Sequence, residues 1–166
     1  MKATLIIEGK EIEIEISEEE YKKLHPSETG YERAPENSGF YYESGRGNVE
    51  SSVDEYCWVD NEYYESANYY SSDVVAENNA RADKFVRQLR RFAVEHRERG
   101  VNLNDTNTKK YYICYDYENN ELRTSFMFSS RIFGVINFDS EETAQAAIDK
   151  FHDELIWYFN EYKDSL

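Results

Sequence analysis

Three histidines and two cysteines carry the metal-binding and nucleophilic chemistry available to this chain, and their spacing supports neither. His25, His96 and His152 have no Cys, Asp or Glu placed to complete a zinc pair that repeats elsewhere. Cys57 and Cys114 stand far apart without a CxxC pattern, between Tyr56 and Trp58 and between Ile113 and Tyr115. Those apolar settings suit small core hydrophobes better than a redox pair. Gly45-Arg46-Gly47 lacks the residues that complete a phosphate-cradling loop and reads as a hairpin turn. Carboxylates are so numerous that no pair is marked out for acid–base catalysis. A non-enzymatic protein without metal or cofactor is expected.

What the chain does offer is charge and aromatic surface. Of its 166 residues 34 are acidic and 19 basic, a net charge of -15, and 15 are tyrosine. Arg81 to Lys110 nevertheless carries nine Lys/Arg against four Asp/Glu, so the remainder holds -20. An acidic body is repelled by phosphate backbones and anionic lipid and favours a basic protein surface. Direct nucleic-acid binding and membrane binding are therefore not expected. The acid-rich, Tyr-rich stretch from Tyr31 to Ala80 contains Asp54, Glu55, Glu62, Tyr63, Tyr64 and Glu65, carboxylates spaced among aromatic anchors. These six are the expected partner-binding residues. On the basic segment, Arg87, Arg90 and Arg91 are either internal counter-charge for the acidic remainder or, with the Tyr doublets, a cationic-aromatic pocket for a nucleotide or signal molecule.

The elements that must carry these residues follow from periodicity. Thr4 to Ile7, then the alternation Glu11 to Ile16, predicts an antiparallel hairpin, and Ser17 with Glu20 predicts a short helix after it. Residues 1-25 read as a hairpin-helix arm, 26-38 as a connection and 39-166 as the main body, all within a single domain. Strands are predicted around Phe40 to Glu43 and Glu55 to Val59, with a turn through Gly45 and Asn48. Ser71 or Ser72 then caps a long helix whose stripe of Ala82, Phe85, Val86, Leu89, Phe92 and Ala93 runs until Gly100. On it, Glu77–Arg81, Asp83–Arg87 and Glu95–Arg99 are spaced for i,i+4 pairs.

Three more antiparallel strands are predicted, from Lys110 to Tyr117, Leu122 to Phe128 and Phe133 to Phe138. Asp139 with Glu142 opens a last helix with the stripe Ala144, Ile148, Phe151, Leu155, Tyr158, Phe159 and Tyr162. The aromatic cluster Trp157-Tyr158-Phe159 with Tyr162 is a candidate homo-oligomer face. The fold class is α+β: antiparallel strands packed against two long amphipathic helices. No apolar run approaches a membrane span and no signal-peptide pattern opens the chain, so a cytoplasmic protein is expected.

The run Asn68-Tyr69-Tyr70 through Ala76-Glu77-Asn78-Asn79-Ala80-Arg81-Ala82-Asp83 to Arg87-Gln88-Leu89-Arg90-Arg91-Phe92-Ala93 resembles a block in uncharacterised small acidic proteins of Firmicute phages and integrated mobile elements. Lys110-Tyr111-Tyr112-Ile113 and Phe138-Asp139-Ser140-Glu141-Glu142 resemble that family too. The resemblance implies no catalytic residues. It implies a context, since small acidic proteins of mobile elements often inhibit host defences, CRISPR nucleases included. The expectation is thus an anti-CRISPR-like inhibitor acting in the host cytoplasm by occupying a basic, nucleic-acid-handling surface. An oligomeric phage accessory protein is the other reading.

Overall fold

The structure, a computed structural model, describes residues 2–7, 10–15, 29–45 and 47–162. The fold is α+β, with three separate two-stranded antiparallel sheets among the described residues. β1 (Lys2–Ile7) pairs with β2 (Lys10–Glu15), Leu5 facing Ile12 in the register. β3 (Gly39–Glu43) pairs with β4 (Val49–Val53), and β5 (Lys110–Asp116) with β6 (Glu121–Met127). The helices are α1 (Trp58–Glu65), α2 (Asp73–Glu95), α3 (Glu141–Lys150) and α4 (His152–Trp157), the last continuing into a π turn at Tyr158–Tyr162. The short helix predicted after Ser17 lies outside the described residues.

The chain divides into two compact units, Met1–Glu43 with Val49–Ala76 and Ser44–Asn48 with Glu77–Leu166. In the first, Phe40, Tyr69 and Ala34 are buried, and Tyr42 and Tyr63 pack against them. Aromatic rings do the work that aliphatic side chains do elsewhere. Phe40 stacks on Tyr69 with centroids 4.3 Å apart, and Tyr42 tilts over Tyr63 at 4.4 Å. Tyr41 and Tyr70 exchange backbone hydrogen bonds of 2.8 and 2.9 Å, tying β3 to the segment that leads into α2.

In the second unit the predicted stripes become the core. Phe85, Leu89, Phe92 and Ala93 of α2 are buried with Ala144 and Ile148 of α3 and Leu155 of α4. Phe138 joins them at 1% exposure. A fully buried side chain of this kind contributes about 1.5–3 kcal/mol. Ser140 starts α3, its hydroxyl accepting the Thr143 N–H at 3.1 Å.

Several predicted elements differ, each for a local reason. The strand predicted at Glu55 to Val59 is instead the entry to α1. The Asp60 carboxylate accepts the N–H groups of Glu55 at 2.9 Å and Cys57 at 3.1 Å, which starts a helix where strand-forming residue types pointed to a strand. The predicted Phe133–Phe138 strand is a loop that turns at Gly134, φ +79°, leaving only Phe138 bridged to Tyr111. The long helix stops at Glu95, five residues before Gly100. The last helix is broken at Phe151, so one long helix and a pair of shorter ones stand where two long helices were expected.

Candidate functional site

The first unit is organised by a buried carboxylate. Asp54 is completely buried, and the Arg33 guanidinium donates to both of its oxygens, Nε to Oδ2 at 2.9 Å and Nη2 to Oδ1 at 3.1 Å. The Tyr69 hydroxyl donates to Oδ2 at 2.8 Å and the Tyr56 N–H to Oδ1 at 2.8 Å, so both oxygens are saturated. The Tyr69 oxygen in turn accepts the Ala34 N–H at 3.0 Å. Arg33 directs its remaining nitrogen to the Asn61 side-chain oxygen at 2.7 Å and lies under the rings of Tyr56 and Tyr64, at 4.3 and 5.4 Å.

This network acts on protonation. The Arg33 hydrogen bonds hold the Asp54 carboxyl at about 2, below its ordinary 3.8, with help from the Tyr56 N–H and the Tyr69 hydroxyl and against its burial. Burial, then the bond to Asp54, pushes the Tyr69 hydroxyl up to about 12. Asp54 is thus an internal anchor that is ionised at neutral pH. Expected at the surface to meet a partner, it is withdrawn from solvent because Arg33, twenty-one positions earlier, reaches it first.

Of the other five expected residues, Glu55 precedes α1 and the four on it divide by helical angle. α1 turns Asp60 inward, where it is buried, and sets Tyr63 half-buried against Phe40. Trp58, Glu62 and Glu65 fall at i, i+4 and i+7, on one outward face. Glu62 and Glu65 are exposed and Trp58 is 70% exposed. Glu55, Tyr56, Val53 and Tyr64 are also exposed. Trp58 was not among the expected residues. The signal that could have found it is an indole one helical turn before Glu62, visible only once 58–65 is read as helix.

The three expected arginines of the basic segment stand on α2. Arg87, Arg90 and Arg91 are all exposed on α2, and Arg91 lies 3.9 Å from the Glu95 carboxylate. Arg90 lines a cleft whose lining includes no tyrosine. Arg81 does not use Glu77 for its ion pair. It donates to Glu154 at 3.0 and 3.2 Å with its guanidinium 3.8 Å over the Trp157 ring. Trp157, expected on an exposed self-association face, is buried beneath it, while Tyr158 and Phe159 pack on the core.

Compared with family models, curated proteins and solved structures, the chain matches none. Within the chain, no group of three or more His, Cys, Asp or Glu among the described residues is placed to hold a metal ion. His96 and His152 are exposed, the first stacked on Phe92 at 3.9 Å and the second 3.2 Å from Asp153. Cys57 and Cys114 are half-buried, and burial pushes the Cys114 thiol up. Among the described residues, no helix is long and apolar enough to cross a membrane.

Proposed function

We propose that this chain is a non-enzymatic binding protein that presents the outer face of α1 to a basic, nucleic-acid-handling protein surface and blocks it. The observation that carries the reading is the exposure of Trp58 beside Glu62 and Glu65 on one helical face. An indole that packs little of itself into its own protein is the side chain most often found at the energetic centre of an interface. Carboxylates around it steer the approach of a cationic partner and repel nucleic acid.

The face is also preorganised, since α1 is held from behind by the saturated Asp54–Arg33 pair and the Tyr42–Tyr63 contact. The charge of -15 supports a basic partner. The resemblance to acidic proteins of phages and mobile elements supports a host defence nuclease, CRISPR effectors among them, as that partner.

Purified chain is to be titrated into CRISPR nucleases and restriction enzymes in the presence of their nucleic acids. Inhibition that competes with nucleic acid, weakens with salt and is lost in the combined variant Trp58→Ala, Glu62→Lys, Glu65→Lys is the expected result. Salt-insensitive binding, or a charge-reversed variant that inhibits as well as the parent, would sink the proposal.

A further inference from the structure

In the second unit the loop from Arg131 to Asn137 walls two adjoining cavities of opposite character. One, of about 230 Å³, is apolar, with Phe85, Leu89, Ile113 and Leu155 in its lining. The other is a cleft of about 300 Å³ where Arg90, Arg97 and Arg131 surround a floor that includes Ala93 and Leu103. Val135 and Ile136 line both. α2 supplies the opposite wall, apolar at Val86 and Leu89 and cationic from Arg90 onward, so the character changes within one turn of helix.

The three arginines are placed unlike the others of this acidic chain. Arg33, Arg81, Arg91 and Arg123 all pair with carboxylates. Among the described residues, Arg90, Arg97 and Arg131 form no ion pair with any of the abundant acids, and no acidic residue lines their cleft. Three arginines without a carboxylate partner among the described residues, all lining one concavity, suit an anion with two or more oxygens. Burial pushes the hydroxyl of Tyr158, which lines the apolar cavity, upward; Asp83 adds to the shift and Arg90 opposes it.

We infer that this pair of cavities is a binding site for a medium-chain aliphatic acid, its carboxylate among Arg90, Arg97 and Arg131 and its chain in the apolar cavity under Val135 and Ile136. The juxtaposition selects an amphiphile over a simple anion or a nucleotide, because the cleft offers no ring to stack a base and the apolar cavity offers little to a hydroxylated ligand. Size sets the chain. At roughly 30 Å³ per small group, the volume a liquid water occupies, the apolar cavity holds about eight methylenes. The site is independent of the α1 face and stands whether or not that face binds a nuclease.

Isothermal titration calorimetry of the full chain with butanoate, hexanoate, octanoate, dodecanoate and octanol tests it. Affinity is expected to rise about fourfold per added methylene up to octanoate and then level off. Octanol is expected to bind at least tenfold more weakly than octanoate. The exposed-residue variant Arg90→Gln, Arg97→Gln, Arg131→Gln, checked for an unchanged far-ultraviolet dichroism spectrum, should bind octanoate no better than the parent binds octanol. The inference is overturned by any of three outcomes: no heat with octanoate at two well-separated temperatures, octanol binding equal to octanoate, or affinity indifferent to chain length. Retention of octanoate affinity by the triple variant overturns it as well.

Discussion

Arg33 grips Asp54 through a two-pronged ion pair, 2.9 and 3.1 Å, across twenty-one positions of chain, and closes the first unit around a carboxylate that never meets solvent. The pair joins the segment before β3 to the segment between β4 and α1. Through Asn61 it also holds the inner side of α1, and so orients the outward face that carries Trp58.

Removing one partner of such a pair costs far more than the pair contributes, because the other charge is left without compensation. Asp54→Ala is expected to lower the stability of the first unit by roughly 3 kcal/mol. Tyr69→Phe, which deprives both Asp54 and the buried Ala34 N–H of a partner, should cost about 1–3 kcal/mol. Urea denaturation followed by tyrosine fluorescence checks both, with the midpoint as the readout.

The same carboxylate sets an acid limb. Its folded pKa of about 2 lies below its ordinary 3.8, so the stability it contributes is complete above the unfolded value and is lost as pH falls from about 4 to about 2. Denaturation midpoints measured between pH 7 and pH 2 should fall through that window. Asp54→Asn, starting from a lower midpoint, should show a shallower fall across it; an identical slope in the variant would remove Asp54 from the account.

Lys110 provides a second, independent anchor in the other unit. Only 3% exposed, its ammonium donates to the backbone carbonyls of Asp105, Thr108 and Phe128, with no carboxylate partner among the described residues. Lys110→Met leaves three carbonyls without their donor and should destabilise by about 3 kcal/mol. Lys110→Arg should not restore the loss, since a planar fork cannot replace a compact ammonium among three converging oxygens. Thermal unfolding of the two variants separates charge from shape.

The two tryptophans should be optically distinct. Trp58 is 70% exposed and Trp157 only 7%. Acrylamide is expected to quench one emitting component readily, and Trp58→Phe to remove it while changing stability by less than about 0.5 kcal/mol. Because Glu62 and Glu65 share the face of Trp58, caesium should quench that component more effectively than iodide. Equal quenching by the two ions would show that the acids do not shape the field there.

Periodicity and capping determined a good part of this protein without coordinates. The stripes of α2 and α3, the hairpins β1–β2 and β5–β6 and the α+β class follow from local sequence, because each rests on neighbours within a few positions; the last helix starts one residue later than expected, at Ser140 in place of Asp139. The sequence also bounds the chemistry, through an acidic excess and the lack of any metal-ligand spacing.

Tertiary structure alone decided which acids are surface and which are scaffold. Asp54 and Glu55 are adjacent in sequence, yet one is sealed against Arg33 and the other faces water. Asp60 looks like one more carboxylate until it is seen capping α1, and that cap converts an apparent strand into the helix that exposes Trp58. Arg81 takes Glu154, seventy-three positions away, while the i,i+4 spacing pointed to Glu77. Long-range partners compete for charges: burial strengthens the Arg33–Asp54 contact, while the exposed Arg81–Glu154 pair rests on its two-pronged geometry over the Trp157 ring.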